Sequence, residues 1–270
     1  LSDDDSRRSL ERLVRAVAAN PAVRAVGRSG GDRPLPEPGE GDIDLFVYCT
    51  EIPRQDDRRV RLEGLGDAVS RVHIEAPVDG PWGVADALCL CGVETWVMYF
   101  TVDALWAEIG ATLRGESVRR VDDYYYPVGR LAMLRSTEPL YDPDGLFRRV
   151  SDAVAVYPDE LARAVLDYHL PRVDDREDFE RAVCRQDVLF YHFVLDLALD
   201  HFLQALFALN RTYFPSRKRS MHHIAGFAQK PARCEERLLA AVALGARPET
   251  LAESYRIWQE LARDLADLAR

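Results

Sequence analysis

Val26-Gly27-Arg28-Ser29-Gly30-Gly31 and, after a polar spacer, Gly41-Asp42-Ile43-Asp44-Leu45-Phe46-Val47 are the stretches on which the fold of this chain turns. The second reads as a strand: apolar residues run from Ile43 to Cys49 behind an acidic start. On a strand, alternate residues share a face, so Asp42 and Asp44 project together with Cα atoms roughly 6.5–7 Å apart. Two carboxylates at that spacing suit a hard divalent cation such as Mg²⁺, with positions left for phosphate oxygens and water. A third carboxylate from a neighbouring strand would complete a two-metal site for in-line phosphoryl transfer. The first stretch closes a short strand, Val23 to Val26, on glycines and a serine. Glycine lets backbone approach an anion, and a serine hydroxyl with free N–H groups can cradle a phosphate. No Gly-Lys-Ser/Thr follows, so this is not a P-loop. The next element is a strand, so it is not a dinucleotide fingerprint either.

Working outward, Asp3 to Asn20 carries Leu10, Leu13, Val14 and Val17 at helical spacing, and Pro21 stops it. Arg59 to Val72 is expected to be helical. Ala85–Cys91 and Thr95–Val102 read as strands joined by the turn Gly92-Val93-Glu94, and Val102 to Leu113 as a helix. From Tyr124 the period is helical almost throughout: 144–154, 159–168, one long helix over 175–209, then 230–243 and 248–269. Strands grouped early and helices late give an α+β chain in two domains, 1–140 and 141–270.

The 270 residues are 47% hydrophobic and 30% charged, an ordinary globular balance that can bury a real core. The net charge of -10 argues against duplex nucleic acid, because an acidic surface repels phosphate backbones. Five scattered cysteines without a CxxC make no disulfide framework. The longest apolar stretch, Leu189 to Leu209, is interrupted by His192, Asp196, Asp200 and His201, which are costly inside a bilayer. No signal-peptide pattern opens the sequence. The expectation is a cytoplasmic protein without a membrane partner, with room for a homodimer.

The residues quoted at the outset resemble the signature of the polymerase-β-like nucleotidyltransferase superfamily: hydrophobic residue, Gly, Gly or Ser, spacer, then acid-hydrophobic-acid. Within it the layout is similar to the antibiotic nucleotidyltransferases that modify aminoglycosides or lincosamides. The segment from Phe202 to Lys218 resembles the helical half of uncharacterised bacterial members. The resemblance implies a nucleotidyltransferase-type mixed sheet with helices, then an all-helical domain. It implies Mg²⁺, and ATP or another nucleoside triphosphate as donor. Transfer of a nucleoside monophosphate to a small-molecule hydroxyl follows, on an acceptor pocket shaped by the helical domain. Asp42 and Asp44 hold metal in this reading, and Gly27, Ser29 and Gly30 hold the triphosphate. The family's third acid belongs on the strand from Glu94 to Phe100; in the usual register Trp96 stands in its place. Glu94 is then the candidate third ligand or base, with Asp86 in reserve.

Lys218 is one of only two lysines, and it is assigned to the phosphates as a point charge, with Tyr213 and Phe214 available to cover a base. Asp144 is expected to cap the next helix and Asn210 to be a C-cap. Asp196 and Asp200, one turn apart, suit either a cationic acceptor or a solvated face. Two rivals accompany the transferase reading: a catalytically degenerate nucleotide-binding or interaction module, and transfer to a protein hydroxyl.

Overall fold

The computed structural model describes residues 3–29, 35–37, 39–77, 82–120 and 126–270. The strands are β1 (Val23–Ser29), β2 (Ile43–Cys49), β3 (Val69–His73), β4 (Val84–Leu90), β5 (Val93–Thr101) and β6 (Glu138–Tyr141). The helices are α1 (Asp3–Ala18), α2 (Gln55–Glu63), α3 (Val102–Leu113), α4 (Pro127–Ser136), α5 (Leu146–Ala153) and α6 (Asp159–His169). They continue with α7 (Arg176–Arg185), α8 (Val188–Leu209), α9 (Ser220–Ala225), α10 (Cys234–Leu244) and α11 (Leu251–Leu268). The fold is α+β, a mixed sheet with helices followed by a helical C-terminal region. Two compact units interleave along the chain. One holds all six strands with α1, α2, most of α3 and α4, and α5; the other holds the end of α3, residues 114–119, the start of α4 and α6 to α11.

In the first unit the strand order is β3-β4-β5-β2-β1-β6. β2 and β5 are parallel; the other pairs are antiparallel. One face of the sheet carries Ile43, Leu45, Val47, Val97 and Tyr99, which pack with Leu10, Leu13, Val14 and Val17 of α1 and Leu62 of α2. That packing is what the amphipathic spacing of α1 serves. The opposite face carries Asp44, Phe46 and Tyr48 on β2, in register with Trp96, Met98 and Phe100 on β5.

The expected turn Gly92-Val93-Glu94 is shorter, because β5 begins at Val93 and pairs Glu94 with Cys89, and three further elements differ from the sequence reading. The helix expected over 59–72 ends at Glu63 because Gly64 and Gly66 (φ +64°) break it, and Val69–His73 joins the sheet edge as β3. The long helix over 175–209 is two helices. Gln186 adopts φ +54°, and Asp187 starts α8 by accepting from the Phe190 N–H at 3.0 Å. Strand β6 pairs with β1 and was hidden by Pro139, a residue tolerated on a sheet edge.

The second unit is built round α8, the one described helix long and apolar enough to cross a membrane, and the most apolar 18-residue stretch of it is 67% buried inside the protein. Phe202, Leu206 and Phe207 of α8 share a core with Phe179 of α7 and Trp258 of α11. Trp258 Nε1 donates to the Val173 carbonyl at 2.8 Å, and Ser254 joins the Tyr191 hydroxyl (2.6 Å) to the Ala241 carbonyl (2.6 Å), whereas the buried side-chain amide of Gln204 on α8 has no hydrogen-bond partner.

Candidate functional site

Register brings the motif together. Ser29 on β1 pairs with Asp44 on β2, and Asp44 pairs with Trp96 on β5, so the three form one row across the sheet on one face. Burial falls steadily along β2 on that face. Tyr48 and Phe46 are buried, Asp44 is half-buried and Asp42, just before the strand, is exposed. The acids therefore sit where the sheet face opens to solvent, as phosphate and metal chemistry requires.

The buried part of the same face is roofed by α4 and α5. The Arg130 guanidinium lies 3.9 Å from the Phe100 ring centroid and 5.5 Å from that of Phe46, with Nη2 3.4 Å from the Tyr48 hydroxyl. Arg130 is 1% exposed; its Nε lies 3.8 Å from the Glu108 carboxylate, and neither Nε nor Nη1 has a hydrogen-bond acceptor. This buried cation on the roofed part of the face was not anticipated, although a lone arginine inside the apolar run Pro127–Leu134 is a sequence signal for it.

The other expected residues are placed as follows. Gly27 lies on the roofed part of the face, where a Cβ would stand 2.4 Å from Thr137 Cγ2 and 2.5 Å from Phe147 Cζ. Its lack of a side chain serves this close packing. Arg28, standing where the family signature has Gly or Ser, donates from Nη2 to Glu138 on β6 at 2.6 Å. Gly30 lies outside the described residues.

Glu94 is exposed, one position before the Thr95–Ile43 pair, and accepts from Trp96 Nε1 at 2.9 Å. Among the described residues, no three His, Cys, Asp or Glu side chains gather to hold a metal. The register excludes Asp86 from the role of reserve ligand. It pairs with Val97, so it leaves the face opposite Asp44, where it is fully buried and bonded to Arg58 Nη1 at 2.6 Å. Burial pushes its carboxyl above the ordinary value, against the pull of the Glu75 N–H and Arg58.

In the helical unit Lys218 is exposed, next to Arg217. Arg217 clasps both Asp196 and Asp200, so those acids hold an arginine of their own chain and not a cationic acceptor. Tyr213 and Phe214 are buried, Tyr213 against Tyr157 at 4.8 Å and Phe214 against Phe207 at 4.9 Å, and neither presents a ring to a base. Asn210 is the C-cap of α8 and ties it to Gln229 through two hydrogen bonds of 2.7 and 3.0 Å. The N-cap position of α5 is Gly145, and the Asp142 carboxylate accepts from the first helical N–H groups, those of Leu146 and Phe147, while Asp144 pairs with Arg24 at 2.7 Å.

Residues 125–219 match a family profile described as a domain of unknown function, DUF4037. No curated protein matches the sequence. Among solved structures the chain is similar to a nucleotidyltransferase-like protein from Exiguobacterium sibiricum, with 11% identity and a TM-score of 0.38, covering 95% of this chain and 74% of the other.

Proposed function

We propose that the chain binds a Mg²⁺–nucleoside triphosphate at Asp42 and Asp44 and transfers its nucleoside monophosphate, AMP from ATP being the simplest case, to a hydroxyl of a small molecule. The observation that carries this reading is the Ser29–Asp44 pairing, which sets the glycine-serine strand end beside the acid-x-acid strand on an open face. The donor set fits the ion: two hard carboxylates supply part of an octahedral shell and leave positions for phosphate oxygens and water. When bound, the ion supplies charge neutralisation at the phosphates. Ser29 offers its hydroxyl to the same phosphates, and the Arg130 cation, which lies against Phe46 two residues along β2 from Asp44, adds positive potential.

One observation favours a second reading. Trp96, not a carboxylate, stands beside Asp44, as expected of a nucleotide-binding module without transfer. Binding of the metal–nucleotide is common to both readings, and transfer separates them. The test incubates the chain with Mg²⁺ and labelled nucleoside triphosphates against a panel of hydroxyl acceptors. The Asp42→Asn/Asp44→Asn double variant should lose both nucleotide binding and label transfer. Transfer undiminished in that variant would remove the proposal; tight binding with no transfer to any acceptor would select the second reading.

A further inference from the structure

The end of β2 remote from the two acids borders a separate cleft. A strand rises about 3.3 Å per residue, so Cys49 lies about 16 Å from Asp44 along β2. There the carboxyl ends of the parallel pair β2 and β5 meet the amino ends of α3 and α5 around a space of about 410 Å³. That volume lies in the range of small-molecule sites. Apolar groups of Cys49, Val102 and Leu146 line part of it, and charged side chains line the rest.

The charges are sorted by side. Val23 pairs with Cys49 and Ala25 with Tyr48, so Arg24 is the extra residue of a β-bulge, a device that re-aims a side chain. Its Nη2 reaches the Asp144 carboxylate at 2.7 Å, and Arg149 Nη1 donates to the Asp144 carbonyl at 2.7 Å. Two guanidinium groups thus gather about one carboxylate on the β1 side, with positive charge in excess. Asp103 lines the same cleft from the β5 side, in the first turn of α3. The two neighbours of β2 lie about 10 Å apart, so opposite charges flank its end. Neither acid is occupied as a helix cap. Thr101 Oγ1 accepts from the Ala104 N–H at 3.2 Å, and Asp142 takes the first N–H groups of α5. Asp103 makes no ion pair or side-chain hydrogen bond with a described residue.

We propose that this cleft binds a small zwitterion, an aliphatic α-amino acid, with its carboxylate on Arg149 and its ammonium on Asp103. The guanidinium fork matches a carboxylate, and a hard carboxylate matches an ammonium. The aliphatic body of the ligand covers Cys49, Val102 and Leu146. Its two charges cancel, as do those of the lining, so neither end enters the cleft uncompensated. This site is distinct from the acid row at the other end of β2 and holds whether or not that row binds a nucleotide.

The test titrates the whole isotope-labelled chain with L-leucine and follows backbone amide signals by NMR. Isocaproate, which lacks the ammonium, and isoamylamine, which lacks the carboxylate, are titrated in parallel. Leucine should shift the amides of Thr50, Asp103 and Arg149 saturably, and each analogue should bind about two- to fivefold more weakly, the range of one exposed ion pair. Asp103→Asn should erase the advantage of leucine over isocaproate, and Arg149→Gln its advantage over isoamylamine. Both positions are exposed, and an unchanged urea midpoint checks that each variant is folded. Absence of saturable shifts at these amides in the wild-type chain overturns the proposal. Equal affinity for leucine and its two analogues overturns it as well, as does an unchanged preference in both folded variants.

Discussion

Asp86→Ala tests the division of acids between the two sheet faces. Asp86 Oδ1 accepts from Arg58 Nη1 at 2.6 Å and from the Glu75 N–H at 3.0 Å, with the Asp86 side chain fully buried and that of Arg58 2% exposed. Removing one partner of such a pair leaves an uncompensated buried charge and costs about 3–5 kcal/mol. Arg58 would retain Glu75 at 2.9 Å and the Pro53 carbonyl at 3.0 Å, and Glu75 is half-exposed, so the loss should fall near the lower end. Against a typical stability of about 5–15 kcal/mol this is a large fraction. With a urea slope of about 1–3 kcal/mol per molar, the midpoint of the sheet-bearing unit should drop by 1 M or more. The assay is urea unfolding followed by near-ultraviolet circular dichroism, which reports the packed aromatic rings. Arg58→Met/Asp86→Leu should recover most of the loss, because two well-packed apolar groups carry no unpaired charge. Stability of Asp86→Ala within about 1 kcal/mol of wild type would refute the reasoning. So would a stable Asp86→Ala that has lost metal–nucleotide binding.

Gly27→Ala should destabilise by about 1–3 kcal/mol, since the new Cβ would stand 2.4 Å from Thr137 Cγ2 and 2.5 Å from the Phe147 ring. An exposed strand glycine would instead gain from alanine, so a stabilised variant in thermal unfolding would show that the packing relaxes. His169 gives a pH dependence with a definite sign. Burial first, and then His201 with its Nδ1 at 2.8 Å, push its pKa down to about 3 from an ordinary 6.5. The unfolded chain then takes up the proton first, so this stability is fully present above about pH 6.5 and is lost as pH falls toward 3, at up to about 1.4 kcal/mol per pH unit. Urea midpoints between pH 7.5 and 4.5 should fall more steeply in wild type than in His169→Gln. Equal slopes would place the titration elsewhere.

Local chemistry made much of the fold legible, and tertiary partners hid the rest. The β2 strand and α1 were readable because alternation and helical spacing are properties of the elements themselves. The break at Gln186–Asp187 was not, since apolar spacing runs through it and only the capping of Phe190 reveals the interruption. β6 was unreadable because a four-residue strand containing Pro139 exists only through its partner β1. The site divides in the same way. Asp42, Asp44 and Ser29 announced themselves by spacing. The clasp of Arg217 on Asp196 and Asp200 could not be seen, since it joins residues on α8 to a loop beyond its end.

A single register settles most of what the motif left open. Because side chains on a strand alternate, pairing Asp44 with Trp96 fixes the face of every residue on β4 and β5 at once. Asp86 falls on the packed face, where its charge is compensated by Arg58; Trp96 falls on the open face beside Asp44. A slip of one residue would exchange these positions. It would bring Thr95 or Val97 beside Asp44 and drive Trp96 into the core under α1, where Val97 and Tyr99 now pack against Leu13 and Val17. Burial of that apolar face therefore enforces the register, and the same packing that stabilises the sheet decides which side chain stands beside Asp44. The indole beside Asp44 follows from the core as firmly as Asp44 itself.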